Sequence, residues 1–518
     1  MTGPAPTSAA AEEEGVTRSR RAAYPVAVVG LVLLVLGLAG SWALTIPPFQ
    51  GPDEVAHYNS VARLVAGGGW PRPYDAKITD ATVTAVAESG SAYQDQSLAT
   101  LPRPEDRSTL LEGQDWPRNG TDQMVQHPPL AYAVTALVVA GLGGADLRWD
   151  HAQLIMRGVS ALALCASLPF LVGVTRRVTG SRIAGVAGGA GVLLVPFFSN
   201  VGGFVTNDAL LIALCSAALY FGVRATTGGR PLLWLAAAGA ATGLALFTKG
   251  LALFLLPVVG VFAVMAALRM TGWVRRIAVV AIPFAVAFCL GGWWWLRNLL
   301  ILGRIQPNQL GDRESRITPA DGYDVWLFIG NFITRLDRTF WGRGGREELA
   351  FPTWIVDVAG VLLLLAVVAS FFFARRRVVL AALWAFPVLI LATIAANAHS
   401  IYWDLGDPYR GVQGRYLFPG IAAMTASLGI LFLALATRLR VRPGVIGAIA
   451  VAIGAAVSSV GLLWVFDRVW GAGGVAAAAQ AHGVAPTVFV GGAVLVVAGL
   501  AATVVALLRA QEAQGRLD

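Results

Sequence analysis

Apolar runs of about 20 residues recur along the whole chain, separated by short polar or glycine- and proline-rich breaks. The first run extends from about residue 22 to residue 44. Twelve more are centred near residues 136, 163, 191, 215, 239, 259, 286, 364, 387, 427, 453 and 497. A helix of roughly 20 apolar residues spans the hydrocarbon core of a bilayer. The pattern therefore predicts an all-α, polytopic membrane protein.

The composition agrees with this fold class. Of the 518 residues, 56% are hydrophobic and 13% are charged, whereas about a quarter of a soluble protein is charged. The cysteines, Cys165, Cys215 and Cys289, all lie inside apolar runs, and their spacing suits neither a disulfide framework nor a metal site. In a membrane protein the net charge of +9 reports on orientation before it suggests nucleic acid binding.

Three regions follow from this pattern. Residues 1–21 are predicted to form a disordered cytoplasmic tail ending in arginines. The first apolar run is longer than that of a secretory signal, so we expect an uncleaved first transmembrane helix. Residues 22–437 then form a transmembrane core with outer loops at 47–127 and 297–352, and residues 438–518 add C-terminal transmembrane helices.

Arginine clusters set the topology. They occupy residues 175–182, 224–230, 269–276, 374–377 and 438–442. If the apolar segment at 127–144 crossed the membrane, every one of these clusters would face outward, against the positive-inside rule. If it only lies at the interface, every cluster is cytoplasmic. The sequence therefore predicts about twelve spanning helices, cytoplasmic termini, and a non-spanning outer helix at 127–144.

Unusual polar residues gather at the predicted outer face. The first outer loop carries 11 acids and 6 basic residues, and the second carries 7 acids and 8 arginines. Ionisable residues at the membrane are functional candidates by default. The candidates are Asp53, Glu54 and His57 in "GPDEVAHY", His127 in "HPPLAY", Asn207 and Asp208 in "TND", Lys249 in "TKG", Arg297 in "WWWLRN", and Arg415 and Tyr416 in "QGRYLFP".

Each candidate also has an ordinary structural explanation. Asp53 and Glu54 follow Pro52, and acids favour the first turn of a helix. Asn207 and Asp208 suit a helix cap, and Lys249 suits a lysine that reaches toward the interface. His57 lies four residues after Asp53 and three after Glu54, so either pair could share a helix face. A metal site there would be incomplete, because no further ligand lies nearby in the sequence. No cofactor is predicted, and a divalent cation is the alternative.

One carboxylate site among several separated cations suits sugar transfer from a lipid-linked phosphate. The phosphate leaving group needs cationic stabilisation, and the acceptor hydroxyl needs a general base. A glycoside hydrolase would use two acids flanking the bond, whereas adjacent helical residues such as Asp53 and Glu54 point about 100° apart. We expect Asp53 to be the base, because Gly51 in "FQGP" would let a substrate approach closely.

These motifs together resemble the GT-C superfamily of integral-membrane glycosyltransferases, which includes protein O-mannosyltransferases and the aminoarabinose transferases of lipid A. "GPDEVAHY", "HPPLAY" and "QGRYLFP" most resemble a bacterial branch of predicted membrane proteins. The resemblance covers most of the chain up to about residue 419. It implies Asp53 as the base with Glu54 beside it, and Lys249 and His127 near the lipid phosphate. His127 stands where the aminoarabinose transferases have a lysine.

The resemblance also implies an inverting transferase in the bacterial plasma membrane, with its active site on the extracytoplasmic face. The donor would be a sugar on a polyprenyl phosphate, and the acceptor an extracytoplasmic cell-envelope glycan, lipid or protein. Two other functions remain open: a transporter or flippase of lipid-linked glycans, and a non-catalytic scaffold for cell-wall assembly. A transporter would place charges near the bilayer midplane and show paired helix repeats.

Overall fold

The structure is a computed structural model that describes residues 8–73, 75–90, 102–113, 120–307, 322–342 and 351–512, with side chains between residues 23 and 510. These residues form α1 (Ser8–Thr45), α2 (Glu54–Val65), α3 (Asp80–Glu88), α4 (Leu130–Gly141), α5 (Trp149–Cys165), α6 (Leu168–Thr179), α7 (Arg182–Gly189), α8 (Pro196–Val201), α9 (Asp208–Thr227), α10 (Pro231–Leu246), α11 (Leu255–Ala267), α12 (Trp273–Ala287), α13 (Trp293–Leu302), α14 (Val325–Trp341), α15 (Thr353–Phe373), α16 (Arg377–Leu405), α17 (Ile421–Leu439), α18 (Pro443–Trp470), α19 (Gly474–His482) and α20 (Val488–Glu512).

Short 3-10 turns and one π-helical turn complete the described secondary structure. The 3-10 turns are Pro104–Asp106, Gln123–Gln126, Gly144–Asp146, Ala190–Leu194, Gly250–Phe254, Gly414–Gly420 and Gly471–Gly473, and the π-turn is Phe288–Gly292. β-pairing in the described ranges consists of two isolated bridges, Lys77 with Thr121 and Thr109 with Arg148. The predicted all-α fold is confirmed. The backbone is already helical from Ser8, within the segment predicted to be a disordered tail.

Ten helical stretches of the described chain are long and apolar enough to cross a membrane. They are Ala23–Thr45, Trp149–Thr179, Asp208–Thr227, Gly250–Ala267, Trp273–Leu302, Thr353–Phe373, Arg377–Leu405, Gly414–Leu439, Pro443–His482 and Val488–Ala510. Two shorter apolar stretches, Arg182–Leu194 and Pro231–Leu246, lie where the sequence predicts further spans. The described chain thus has a helical stretch at each of the twelve predicted spans, ten of them long enough to be candidate spans, and the number of about twelve stays a prediction.

The remaining apolar segment forms α4, which is short. Its 12 residues extend about 18 Å at 1.5 Å per residue, against a hydrocarbon core of about 30 Å. The backbone N–H of Leu130, at its start, donates to the carbonyl of Phe247 over 3.3 Å. Because Arg182–Leu194 is only one residue longer, the position of residues 127–144 outside the membrane rests on the arginine clusters and stays a prediction.

The arginine clusters lie together at one end of the bundle. Arg269 donates to the carbonyl of Thr226, and the guanidinium groups of Arg176 and Arg182 lie 5.1 and 5.8 Å from the ring centre of Tyr24. The helices α9, α11 and α16 each connect this end to the opposite one. The turns that carry the candidate functional residues lie at that opposite end.

The first and last helices pack closely against each other. A side chain at Gly37 would place its Cβ 2.7 Å from the backbone nitrogen of Val496, and one at Gly499 would collide with the backbone of Leu34. Close packing of small residues is a usual way for membrane helices to associate. The C-terminal helices also contact α1 through Trp470, whose Nε1 donates to the carbonyl of Thr45 over 2.9 Å.

The first outer loop folds into a small layer with its own core. Phe49, Tyr58, Trp149 and Met156 are all buried in it. The buried carboxylate of Asp122 accepts hydrogen bonds from the side chains of Asn59, over 2.7 Å, and Ser60. This layer covers the end of the bundle where α2 begins, so the position of Asp53 depends on it.

Single cysteines test the topology, in a background where Cys165, Cys215 and Cys289 are replaced. Gly228 and Gly68 are both exposed, at the arginine end and the opposite end. We expect a cysteine at residue 228 to react only from the cytoplasm and one at residue 68 only from outside, because the arginine clusters set the orientation. Labelling by an impermeant maleimide on intact cells measures this. Labelling of residue 228 from outside would contradict the predicted topology.

Candidate functional site

Five turns meet at the end of the bundle opposite the arginine clusters. They are the turn before α2, the "HPP" turn before α4, the "TND" turn before α9, the "TKG" turn after α10 and the "QGRY" turn before α17. Their polar side chains contact one another, although the segments lie far apart in the sequence. The sequence analysis placed these turns on one face, and the structure brings most of the candidate residues together.

Asp53 has an unusual backbone and an accessible side chain. It lies in the left-handed region, with φ 58° and ψ 14°, which is costly for a residue other than glycine. Its carboxylate caps no helix N–H, is 39% exposed, and accepts a hydrogen bond from Nη2 of Arg415 over 3.2 Å. The helix begins one residue later, at Glu54. The carboxylate of Asp53 is therefore held at the mouth of the site and does not stabilise the helix start.

Lys249, Asp208 and Arg415 form the buried part of the cluster. Nζ of Lys249 lies 2.5 Å from Oδ1 of Asp208, and Nε of Arg415 lies 3.7 Å from Oδ2 of the same carboxylate. Tyr416 contributes its ring, whose centre lies 5.1 Å from Nζ of Lys249 and 5.6 Å from Cζ of Arg415. Asp208 thus holds two cations side by side, and the two carboxylates Asp53 and Asp208 balance their charge.

Glu54 points away from Asp53 into the protein. Its buried carboxylate accepts two hydrogen bonds of 2.7 Å from Nε and Nη2 of Arg157. It also accepts backbone N–H bonds from Gly51 over 3.1 Å and from Val205 over 3.0 Å. Since both oxygens are occupied and enclosed, Glu54 cannot reach a substrate. Its geometry agrees with the expectation that Glu54 diverges from Asp53 and supports the site through an ion pair.

Arg157 fixes three parts of the site at once. Besides Glu54, it donates to the carbonyls of Ala43, Ile46 and Pro47 over 2.6, 2.7 and 2.9 Å. The end of α1, the start of α2 and, through Val205, the "TND" turn are therefore held by one guanidinium. Arg157 was not among the candidates from the sequence, although an arginine inside the apolar run of α5 was a signal for it.

His57, Tyr132 and Asn207 form a polar chain beside the cluster. Nδ1 of His57 lies 3.0 Å from the hydroxyl of Tyr132, which accepts from Nδ2 of Asn207 over 3.2 Å. Asn207 occupies the N-cap position of α9, but its side chain makes no cap hydrogen bond there. Tyr132 was not among the candidates, although it lies in "HPPLAY". This chain orients the turn that carries Asp208.

Both histidines near the site are neutral at pH 7. Burial is the main reason that the pKa of His57 falls from 6.5 to about 3, and the positive charge of Lys249 adds to it. The pKa of His127 falls to about 3 for the same two reasons, in the same order. His127 therefore adds no positive charge to the cluster at pH 7. Lys249 and Arg415 remain as the cations.

These pKa shifts predict sensitivity to acid. In the unfolded chain a histidine takes up a proton near pH 6.5, whereas the buried ring resists it to about pH 3. Stability is therefore retained above pH 6.5 and lost as the pH falls toward 3. Between pH 7 and 5 the free energy of unfolding should fall by about 2 kcal/mol for each histidine. Unfolding in detergent across this range measures the change. The prediction would be contradicted if the free energy of unfolding of a His57→Gln/His127→Gln variant fell as steeply with pH as that of the wild type.

Several buried polar atoms at the site lack a hydrogen-bond partner among the described residues. They are Nδ1 of His127, Oδ1 of Asn207 and Nη1 of Arg415. Buried polar groups in native proteins are almost always paired, and exceptions call for an explanation. Here the three atoms belong to turns that surround the same cluster. They are suited to bind a polar ligand between the turns.

Two expectations about neighbouring residues need correction. Gly51 does not make room for a substrate, because it is buried and a Cβ there would lie 2.5 Å from the Cβ of Phe204. Arg297 has no described contact with the cluster. Its guanidinium lies 4.8 Å from the ring centre of Trp294, and its Nη1 donates to Oδ1 of Asn298 over 3.2 Å. The predicted set of cations is thus reduced to Lys249 and Arg415.

The "QGRY" turn is positioned by α14 from the second outer loop. The backbone N–H of Gly414 donates to Oγ1 of Thr339 over 2.7 Å. A side chain at Gly414 would collide with the backbone of Phe340, so this close approach requires glycine. In the described residues, no group of three or more His, Cys, Asp or Glu side chains could hold a metal ion. The absence of a cofactor stays a prediction, with a divalent cation as the alternative.

The fold and the site define an all-helical, polytopic membrane protein with a charged cluster at one end of its helices. The chain belongs to the family described as "Predicted membrane protein (DUF2142)", which matches residues 36–424. No curated protein sequence matches the chain.

Among solved structures, the chain is similar to ArnT from Cupriavidus metallidurans bound to undecaprenyl phosphate. The identity is 18% and the TM-score 0.46, over 94% of this chain and 77% of that one. It is also similar to the oligosaccharyltransferase of Archaeoglobus fulgidus, with 13% identity and a TM-score of 0.42, over 87% of this chain and 56% of that one.

Proposed function

We propose that the protein is a glycosyltransferase that moves a sugar from a polyprenyl-phosphate donor to an extracytoplasmic cell-envelope glycan, lipid or protein. One observation carries the proposal: the accessible carboxylate of Asp53 pairs with Arg415, and Arg415 in turn shares the carboxylate of Asp208 with a second cation, Lys249. The sequence motifs that resemble those of the GT-C superfamily support the proposal. We place the protein in the bacterial plasma membrane, with this site on the extracytoplasmic side.

In the proposed reaction, Asp53 takes the proton from the acceptor hydroxyl. The acceptor oxygen attacks the anomeric carbon and forms the new glycosidic bond, with inversion. The bond between that carbon and the phosphate oxygen breaks, and the electron pair leaves with the polyprenyl phosphate. The product phosphate carries more negative charge than the donor phosphodiester. Lys249 and Arg415 therefore stabilise the transition state more than the bound donor.

Donor binding would also change the ion pairs of the cluster. Arg415 contacts both Asp53 and Asp208, so a phosphate that binds Arg415 competes with these carboxylates. Arginine commonly binds phosphate through two hydrogen bonds, and its Nη1 lacks a partner among the described residues. Release of Asp53 from Arg415 would free it to accept a proton. The neutral His127 would add a hydrogen bond to the phosphate and no charge.

The position of the cluster favours a transferase over a transporter. The charged residues lie in turns at helix ends, at the start of α9 and before α17. A transporter would bind its cargo near the bilayer midplane, at broken helices. An active site at the membrane surface can instead receive a lipid-linked donor from the bilayer and an acceptor from outside.

Replacing Lys249 tests the donor site directly. The Lys249→Ala variant should bind a polyprenyl phosphate about 10-fold or more weakly, because a charge-assisted contact to the phosphate is lost. Lys77→Ala is the matched control, since Lys77 is the only other lysine of the chain and lies in the first outer loop. Equilibrium binding of a labelled polyprenyl phosphate to purified protein measures both. Equal affinities of the two variants would contradict the proposed role of Lys249.

A further inference from the structure

A second charged cavity lies at the opposite end of the helices from the candidate site. Its volume is about 710 Å³. It is formed by the end of α9, the end of α11 with the residues that follow, and the loop between α15 and α16. Four arginines line it: Arg269, Arg375, Arg376 and Arg377.

No carboxylate of the described residues pairs with the arginines of this cavity. No Asp or Glu occurs between Asp208 and Asp312, or between Asp357 and Asp404, the segments that contain all four arginines. None of the ion pairs among the described residues involves any of the four. Arginines that only set the topology need not converge on one cavity. Four uncompensated charges in one cavity attract an anion.

The arginines also retain hydrogen-bond donors. Arg269 donates Nη1 to the carbonyl of Thr226, and Arg377 donates Nη2 to the carbonyl of Phe372 over 3.2 Å. A guanidinium has five N–H donors in a planar fork that suits phosphate oxygens. These backbone contacts therefore hold the side chains and leave most donors for a ligand.

The surroundings of the cavity indicate a lipid. Val378 lines the cavity and is 66% exposed. Leu268 and Phe372, which are close in sequence to lining residues, are 71% and 72% exposed. All three lie at or next to the ends of helical stretches that are apolar enough to span the membrane. A ligand here would meet arginines on one side and exposed apolar side chains on the other. A phospholipid has the same division between its head group and its acyl chains.

We propose that this cavity binds the phosphate of an anionic phospholipid from the adjacent leaflet. Arg269 and the arginines at 375–377 bind the head group, and the acyl chains lie along Leu268, Phe372 and Val378. Basic cavities between transmembrane helices on the cytoplasmic side are suited to anionic head groups. The lipid would join the ends of α9, α11, α15 and α16. This inference does not depend on the reaction at the other end.

Native mass spectrometry of the purified full-length protein tests the proposal. Dioleoyl phosphatidylglycerol and dioleoyl phosphatidylcholine are titrated separately. The variant is Arg375→Gln/Arg376→Gln/Arg377→Gln. Its matched control is Arg438→Gln/Arg440→Gln/Arg442→Gln, which removes the same charge from another cluster at the same end. We expect the wild type and the control to prefer phosphatidylglycerol, and the first variant to bind it about 10-fold more weakly.

Three results would overturn the proposal. They are equal loss of binding in both triple variants, no preference for phosphatidylglycerol in the wild type, or its displacement by millimolar inorganic phosphate. The last would point to a soluble phosphate ligand. If the triple variant fails to fold, Arg269→Gln is compared with Arg275→Gln. Arg275 also follows α11 in the sequence but does not line the cavity. Weaker binding only in Arg269→Gln supports the proposal, and equal binding contradicts it.

Discussion

The Asp53→Asn variant should transfer sugar about 10²–10⁴-fold more slowly than the wild type, the usual cost of losing a general base. Asparagine keeps the shape of the side chain but cannot accept the proton of the acceptor. The rate is measured as transfer of labelled sugar from polyprenyl phosphate in membranes that contain the protein. Binding of the donor should survive, because Lys249 and Arg415 are intact.

Asp75→Asn is the matched control for this experiment. Asp75 is an exposed acid of the same outer loop, and its replacement should leave transfer near the wild-type rate. If Asp53→Asn also kept a near-normal rate, Asp53 would not be the base. Its unusual backbone would then serve only the start of α2.

The second large effect concerns stability. Arg157→Met should lower the free energy of unfolding by about 3–5 kcal/mol, because it leaves the buried carboxylate of Glu54 without its partner. The pair is fully buried, with 0% exposure of both side chains. Thermal unfolding in detergent measures the loss. Arg148→Met is the control and should lose less stability, because the Arg148 side chain is 26% exposed and its partner Asp150 keeps its ion pair with Arg107.

A double variant separates the ion pair from general packing. Glu54→Leu/Arg157→Met removes both charges, so it should be less destabilised than the sum of the two single variants. If the losses simply add, Glu54 and Arg157 contribute independently. That result would contradict the view that one guanidinium holds the end of α1 and the start of α2 together.

The fold could be predicted because the membrane imposes a simple pattern. An α-helix satisfies its own backbone hydrogen bonds in a bilayer, so apolar runs of about 20 residues translate directly into helices. The arginine clusters also singled out residues 127–144, where the structure has the short helix α4. Breaks of the helix within a single apolar run were not visible in the sequence. Residues 182–201, for example, form two helices joined by a 3-10 turn that ends before Pro196.

The sequence also predicted that the candidate residues lie on one side of the membrane, because the arginine clusters mark the opposite ends of the same helices. The pairing of side chains was not. Nothing local tells that Asp53 contacts Arg415, or that Glu54 contacts Arg157. Such pairs depend on how distant helices pack. The misplaced expectation for Arg297 has the same origin, because a stacking partner three residues away, Trp294, is as available to it as the site.

Gly51 shows a further limit. A glycine next to a candidate acid suggested space for a substrate, whereas Phe204 fills that space. Glycine in a sequence indicates only that a side chain would not fit or that the backbone is unusual. It does not indicate which neighbour approaches. Only the three-dimensional contacts distinguish a substrate from a packed aromatic ring.

Mass spectrometry of the lipids that co-purify with the Asp53→Asn variant tests the central claim most directly. This variant should bind the donor and fail to use it, so a sugar linked to a polyprenyl phosphate should accumulate on the protein. The same lipid should be depleted from Asp53→Asn/Lys249→Ala. Recovery of no polyprenyl-phosphate sugar, or of equal amounts with and without Lys249, would contradict the account.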